Sequence, residues 1–208
     1  MKIFVTGIST DVGKTVVSAI FTQALQADYW KPVQAGDLDN TDSDKVRRWI
    51  SGGTVFPEAY RLNTPASPHL AAQIDRIRID ISQITEPRTP NHLVIEGAGG
   101  LLVPLNQKDT IADLIQPDHR VVVVSRHYLG SISHTLLTLE ALKARNLDIA
   151  GIVFNGEANE ASEQAILGRH DIRVLGRILP EASIDRETIS RYAGLFRPEL
   201  LKLADGRL

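Results

Sequence analysis

Cysteine is absent from the 208 residues, which removes disulfides and thiolate metal ligands and suits a reducing compartment. Charge of one sign is also scarce. The net charge is −2, from 23 Lys and Arg against 25 Asp and Glu. The basic residues are scattered, so composition offers no footprint for nucleic acid or an anionic membrane. No apolar run approaches membrane-spanning length, and no signal-peptide pattern precedes the first apolar stretch. What is present is a hydrophobic content of 43%, enough for a sizeable core. The expectation is a single cytoplasmic domain over residues 1–208, without internal repeats.

Residues 3–5 are apolar and read as a buried strand. Val16, Val17, Ala19, Ile20, Ala24 and Leu25 have the spacing of a helix with a broad buried face. Between them lies Gly7-Ile8-Ser9-Thr10-Asp11-Val12-Gly13-Lys14-Thr15. A strand, a glycine-bearing loop and a helix opening with Lys-Thr make an anion site. Backbone N–H groups and the helix dipole attract phosphate, Lys14 adds a point charge, and the Thr15 hydroxyl suits Mg²⁺. Five residues separate Gly7 from Gly13, one more than in the common phosphate-binding loop. A Gly-Lys-Thr arising by chance in a loop is the competing explanation, and the flanking strand and helix disfavour it.

Further strands are expected over residues 28–33, 92–95, 120–124, 149–154 and 172–178. Helices are expected around 45–50, 68–75, 132–142 and 160–167, with a C-terminal helix over 185–203 broken near Pro198. Residues 51–90 read as a long insertion rich in Pro, Gly, Ser and Thr. Near-continuous apolar strands alternating with helices predict an α/β fold, a mostly parallel sheet covered on both faces. Loops 7–15, 31–36, 96–100, 125–131 and 155–156 all follow strands. They therefore belong on one rim, where such sheets bind ligands.

Each candidate has an ordinary alternative. Lys31, before Pro32, is either a solvated turn residue or a cation beside the phosphate loop. Asp42 or Ser43 caps the next helix, leaving a carboxylate of Asp42 or Asp44 for Mg²⁺. Glu96, followed by Gly97-Ala98-Gly99-Gly100, is a metal-site candidate at a strand end, or part of a flexible turn. Ser67-Pro68-His69 reads as a helix start, so His69 is structural. Gly130-Ser131-Ile132-Ser133-His134 opens a helix whose N–H groups suit a carboxylate, or is simply a capped helix. Asn155-Gly156 is a tight turn, or an amide that pairs with adenine. Trp30 and Trp49 read as core or interface residues.

In order and spacing, these motifs together resemble the dethiobiotin synthetases. The likeness runs from Lys2 to about Glu181 and rests on Gly7 to Thr15, Lys31-Pro32-Val33, Ser43-Asp44, Ser67-Pro68-His69, Glu96 to Gly100 with Pro104, Leu129-Gly130, and Asn155. It implies a P-loop NTPase-like fold and an ATP- and Mg²⁺-dependent ligase of biotin biosynthesis. Asp11, Val12, Gly13, Lys14, Thr15 and Val16 would wrap the ATP phosphates. Thr15, Asp44 and Glu96 would hold the metal, with Gly97, Ala98 and Gly99 also facing nucleotide. Lys31 and Lys14 would stabilise the reacting groups, and Thr10 would lie near the substrate amines. Asn155, Gly156, Leu179, Pro180 and Glu181 would hold adenine. The helix start at Gly130 to His134 would receive the substrate carboxylate from the neighbouring subunit of a homodimer. Against the family pattern, Ile8-Ser9, Ala35 and Ser133 are departures, and they bear on substrate geometry and affinity more than on nucleotide chemistry.

The implied reaction joins CO₂ to 7,8-diaminononanoate and phosphorylates the resulting carbamate. Ring closure then needs positioning and charge neutralisation rather than a side-chain nucleophile. A nucleotide-sensing domain without turnover would be expected to lose Lys31, Asp44 and Glu96, all present here. A cobalamin-type amidotransferase would need a glutaminase domain. A partitioning ATPase would carry an extra lysine in residues 8–10, which hold none.

Overall fold

The computed structural model describes residues 1–206. Six strands form one sheet in the order β2-β5-β1-β6-β7-β8: Asp28–Trp30, Leu93–Gly100, Lys2–Gly7, His119–Arg126, Asp148–Asn155 and Val174–Ile178. Every neighbouring pair is parallel. The reason is visible in β6, where Val121, Val122, Val123 and Val124 are all fully buried. A strand apolar on both faces needs a cover on each.

The helices supply those covers. Strand order steps from β1 outward to β2 through α1 (Lys14–Leu25), and in the opposite direction from β6 to β7 through α4 (Ser131–Lys143). Right-handed crossovers then put α1 and α4 on opposite faces. The short α5 (Glu160–Leu167) follows the direction of α4, and α6 (Arg186–Ala204) packs on α1 with Phe21 and Phe196 ring centroids 5.7 Å apart. No helix among the described residues is long and apolar enough to cross a membrane.

Three local expectations fail, each for a physical reason. The strand expected over 28–33 is cut by Pro32, which has no N–H for a ladder. Its second half, β3 (Val33–Ala35), pairs instead with β4 (Tyr60–Leu62) in a separate parallel two-stranded sheet. That strand lies inside the apparent insertion, which also carries α3 (Pro68–Ile74). Pro198 does not break α6. It lies on the solvent side four residues after exposed Gly194, so the unpaired carbonyl faces water while Phe196 and Leu200 stay buried. Glu96 is not at a strand tip either, because β5 continues through Gly100.

Candidate active site

Strand β1 passes to α1 through residues 8–13. Gly13 has φ 97°, and a Cβ there would fall 2.2 Å from Asn155 Nδ2, so only glycine fits. The curled loop lets Lys14 Nζ donate to the Ser9 carbonyl at 3.0 Å. Lys14 is 7% exposed, and this burial lowers its pKa to about 8 against the opposing pull of Glu96.

Glu96, only 1% exposed, is the hub of the charged side. Its Oε1 accepts from the Thr15 hydroxyl at 2.9 Å and from Lys31 Nζ at 3.2 Å, and its Oε2 accepts from Tyr29 OH at 2.9 Å. Lys31 also bonds Asp42 Oδ2. Burial works against the Lys31 ammonium, but the charges of Glu96 and Asp42 outweigh it and raise its pKa. Burial likewise opposes the Asp42 carboxylate, yet the Lys31 charge brings its pKa down to about 2. Lys45 holds the other Asp42 oxygen at 3.0 Å. Tyr29 is pushed well above its ordinary value, by burial first and then by the charge of Glu96, so its phenol is a donor here.

Asp44, expected beside the metal, does not contact this cluster; Asp42 does. The first residue of α2 (Asp42–Trp49) is Asp42, and its cap is Thr41. Asp44 sits at the third helical position. There it accepts from the Thr41 N–H at 3.1 Å and hydroxyl at 2.8 Å, and pairs with Arg47 at 2.6 Å. Thr-x-x-Asp is a capping box, and that pattern was available in the sequence. Asp42, one position inside the cap, points into a cleft of about 720 Å³ that Thr10, Asp11, Thr15, Val16, Ala98 and Gly99 also line. Gly97 does not face it, since a Cβ there would meet Ile111 and Phe4 in the core. Tyr29 and Lys45 carried no motif that marked them.

The other half of the rim lies across the phosphate loop. Asn155 ends β7 in register with Ile178 of β8, which brings Asn155 and Gly156 beside Leu179, Pro180 and Glu181. Asn155 Nδ2 donates to the Val12 carbonyl at 2.9 Å, and the Gly156 N–H donates to the Ile178 carbonyl at 2.8 Å. Tyr192 bonds both the Leu179 N–H and Glu181. Below the turn, Arg177 grips both oxygens of Glu163 at 2.6 Å, and His127 joins Glu163 at 2.9 Å. None of these residues borders the charged cleft.

The family model described as an AAA domain matches residues 1–188. The ATP-dependent dethiobiotin synthetase of Christiangramia forsetii is 54% identical over 202 residues, 96% of this chain and 98% of that protein. That of Cytophaga hutchinsonii is 54% identical over 196 residues, 92% and 95% of the two chains. This chain belongs to the dethiobiotin synthetase family. Membership makes it an ATP-dependent ligase. Among solved structures, the septum site-determining protein MinD of Pyrococcus horikoshii aligns with a TM-score of 0.58 at 15% identity, covering 96% of this chain and 90% of that one. At that identity the likeness is one of fold, that of the P-loop ATPases, and the partitioning-ATPase alternative gains nothing from it.

The two aspartates separate by experiment. Asp44→Ala should cost about 1 kcal/mol of stability through its cap and leave Mg²⁺-dependent nucleotide binding unchanged. Asp42→Ala should weaken that binding strongly. Calorimetry with a non-hydrolysable ATP analogue decides, and equal losses in both variants would return Asp44 to the site.

Proposed function

We infer that the chain closes the ureido ring of dethiobiotin in the charged cleft beside the phosphate loop, consuming ATP, CO₂ and 7,8-diaminononanoate. One observation carries the reading. Lys14, Thr15, Lys31, Asp42 and Glu96 converge on a single cleft from α1, α2, β5 and the turn after β2.

One substrate amine takes up CO₂ as a carbamate, an anion and a poor electrophile. Transfer of the ATP γ-phosphoryl group to the carbamate oxygen makes a mixed anhydride. The second amine then attacks its carbonyl carbon and expels phosphate, leaving ADP and the ring. Each step gathers negative charge before releasing it, so fixed cations are the appropriate catalysts. The 8–13 loop and Lys14 hold the ATP phosphates, and Lys31 neutralises the carbamate and its phosphorylated form. Thr10, exposed at the cleft mouth, faces the amines. Asn155, Gly156 and the backbone of Leu179, Pro180 and Glu181 receive adenine.

A hydroxyl and two carboxylates are hard oxygen donors that fit Mg²⁺, which takes one or two carboxylates and fills its shell with phosphate oxygens and water. Thr15, Asp42 and Glu96 would hold it. Bound there, Mg²⁺ would neutralise charge on the phosphate oxygens.

A second copy completes the substrate site. Beside Thr10 lies a groove of about 370 Å³ bordered by Leu102 and Leu137, 51% and 62% exposed. Leu129, fully exposed, precedes Gly130 at the start of α4. Apolar side chains standing in water next to a substrate groove favour a homodimer contact. Sedimentation should give a dimer at assay concentrations, and a monomer that turns over at full rate would end this part of the reading.

Purified protein with ATP, Mg²⁺, bicarbonate and 7,8-diaminononanoate should yield dethiobiotin by mass spectrometry, and none when any component is omitted. Lys31→Gln should lower product formation by about 10²-fold or more without weakening nucleotide binding. Turnover within a few-fold of wild type would remove Lys31 from its assigned role.

Lys14 sets a pH dependence. Its pKa of about 8 lies below the free value of 10.5, and phosphate contact favours the charged form. Nucleotide binding therefore takes up a proton above pH 8. Affinity should be flat below about pH 8 and fall by up to roughly tenfold per unit above it, until the pKa of the bound state is reached. Calorimetry from pH 7 to pH 9.5 should read this slope, and a flat profile would contradict it.

A further inference from the structure

The oxygens that suit a divalent cation are already engaged by an ammonium. Lys31 Nζ bonds Asp42 Oδ2 and lies 3.2 Å from Glu96 Oε1, the oxygen that also accepts from Thr15 at 2.9 Å. The Lys31 side chain is 6% exposed and that of Glu96 is 0%. A carboxylate sealed from water without a cation is costly, so a partner of opposite charge is required there. A divalent ion on these same oxygens would repel the Lys31 ammonium and compete with it for them.

We propose that Lys31 is a resident placeholder for the divalent cation, and that arrival of the cation with nucleotide displaces its ammonium into the cleft where substrate lies. This rests on the reading that Thr15, Asp42 and Glu96 hold the cation. The geometry provides for the exchange. Lys31 has a flexible four-carbon arm and opens on the same cleft as Thr10 and Lys14. Lys45 bonds the other Asp42 oxygen from the same helix, so Asp42 stays aimed into the site when Lys31 leaves. The consequence is an ordering device: the lysine that neutralises the carbamate is unavailable until the metal and ATP are in place.

Manganese binding, read by electron paramagnetic resonance on protein without nucleotide, tests the exchange directly. Lys31→Met should tighten Mn²⁺ binding by about tenfold or more, because the competing cation is gone. Lys45→Met removes an equal charge from the same aspartate but leaves the placeholder, and should change affinity by no more than about threefold. Equal gains in both variants would mean that overall charge alone matters, and would overturn the proposal. So would unchanged or weaker Mn²⁺ binding in Lys31→Met. Glu96→Gln tests the underlying reading separately: if Mn²⁺ binding with an ATP analogue survives it intact, the cation site lies elsewhere.

A second measurement needs no substitution. The buried, hydrogen-bonded Lys31 ammonium should give a slowly exchanging signal in ¹⁵N-lysine-labelled protein. That signal should move when Mg²⁺ is added with the analogue, and stay when the analogue is added alone. A signal that follows the nucleotide without the metal would overturn the exchange.

Discussion

A carboxylate buried in the middle of a parallel sheet must be matched on both oxygens, and Glu96 is matched by three donors from different parts of the chain. Thr15 comes from the first turn of α1, Tyr29 from β2, and Lys31 from the turn that follows β2. Each loses a buried partner if the carboxylate is removed. The same three contacts fix the phosphate loop's exit, the edge of the sheet and the cationic turn relative to one another. The site is therefore a consequence of satisfying one buried charge. Asp42 extends the arrangement outward by holding Lys31 from a second element.

The parallel sheet explains why this happens where it does. Strands β1 and β5 run side by side with Val5 opposite Glu96, so the carboxylate lies two residues short of Gly7, where the phosphate loop leaves β1. Lys31 follows Trp30, which is paired with Ile95, one residue before Glu96. Register alone brings a lysine, a carboxylate and the Lys-Thr helix start together from positions about sixty-five and eighty residues apart along the chain. Side-chain chemistry then only has to close the last few ångströms.

That part of the molecule was legible in the sequence because it depends on local pattern. Apolar runs gave the central strands, Gly13-Lys14-Thr15 marked the phosphate loop, and strand-then-loop alternation put the suspicious segments on one rim. Features set by tertiary partners were harder to read. Whether residues 33–35 continue β2 or join β4 depends on a strand inside what looked like an insertion. Whether Pro198 breaks a helix depends on which face it takes and on Gly194 four residues earlier. That Asp42 rather than Asp44 faces the cleft differs in kind. Two acidic residues two apart on a helix cannot both face the same way, and Thr41 decides between them by recruiting Asp44 as its cap. The deciding residue was visible but lies outside the motif being read.

The rim then divides into two halves with the phosphate loop as the hinge. On one side stand the lysines and carboxylates of β2, α2 and β5. On the other stand Asn155, Gly156 and the segment after β8. Their direct link is Asn155, whose amide bonds the Val12 carbonyl and sits where any side chain at Gly13 would go. Asn155 ends β7, two strands from β1, so its amide ties the far edge of the rim to the backbone of the loop. Behind it, Arg177 donates to the Gly156 carbonyl and grips Glu163, and His127 holds Glu163 from β6's side. This half is built of neutral amides, backbone and carboxylates already paired, Glu163 with Arg177 and Glu181 with Arg191. The other half keeps Lys14, Lys31 and Lys45 in the cleft with Asp42 and Glu96, and Asp11 and Asp37 line the same cleft. The sheet order thus sets a hydrogen-bonded, largely neutral edge and a charged cleft on opposite sides of one loop.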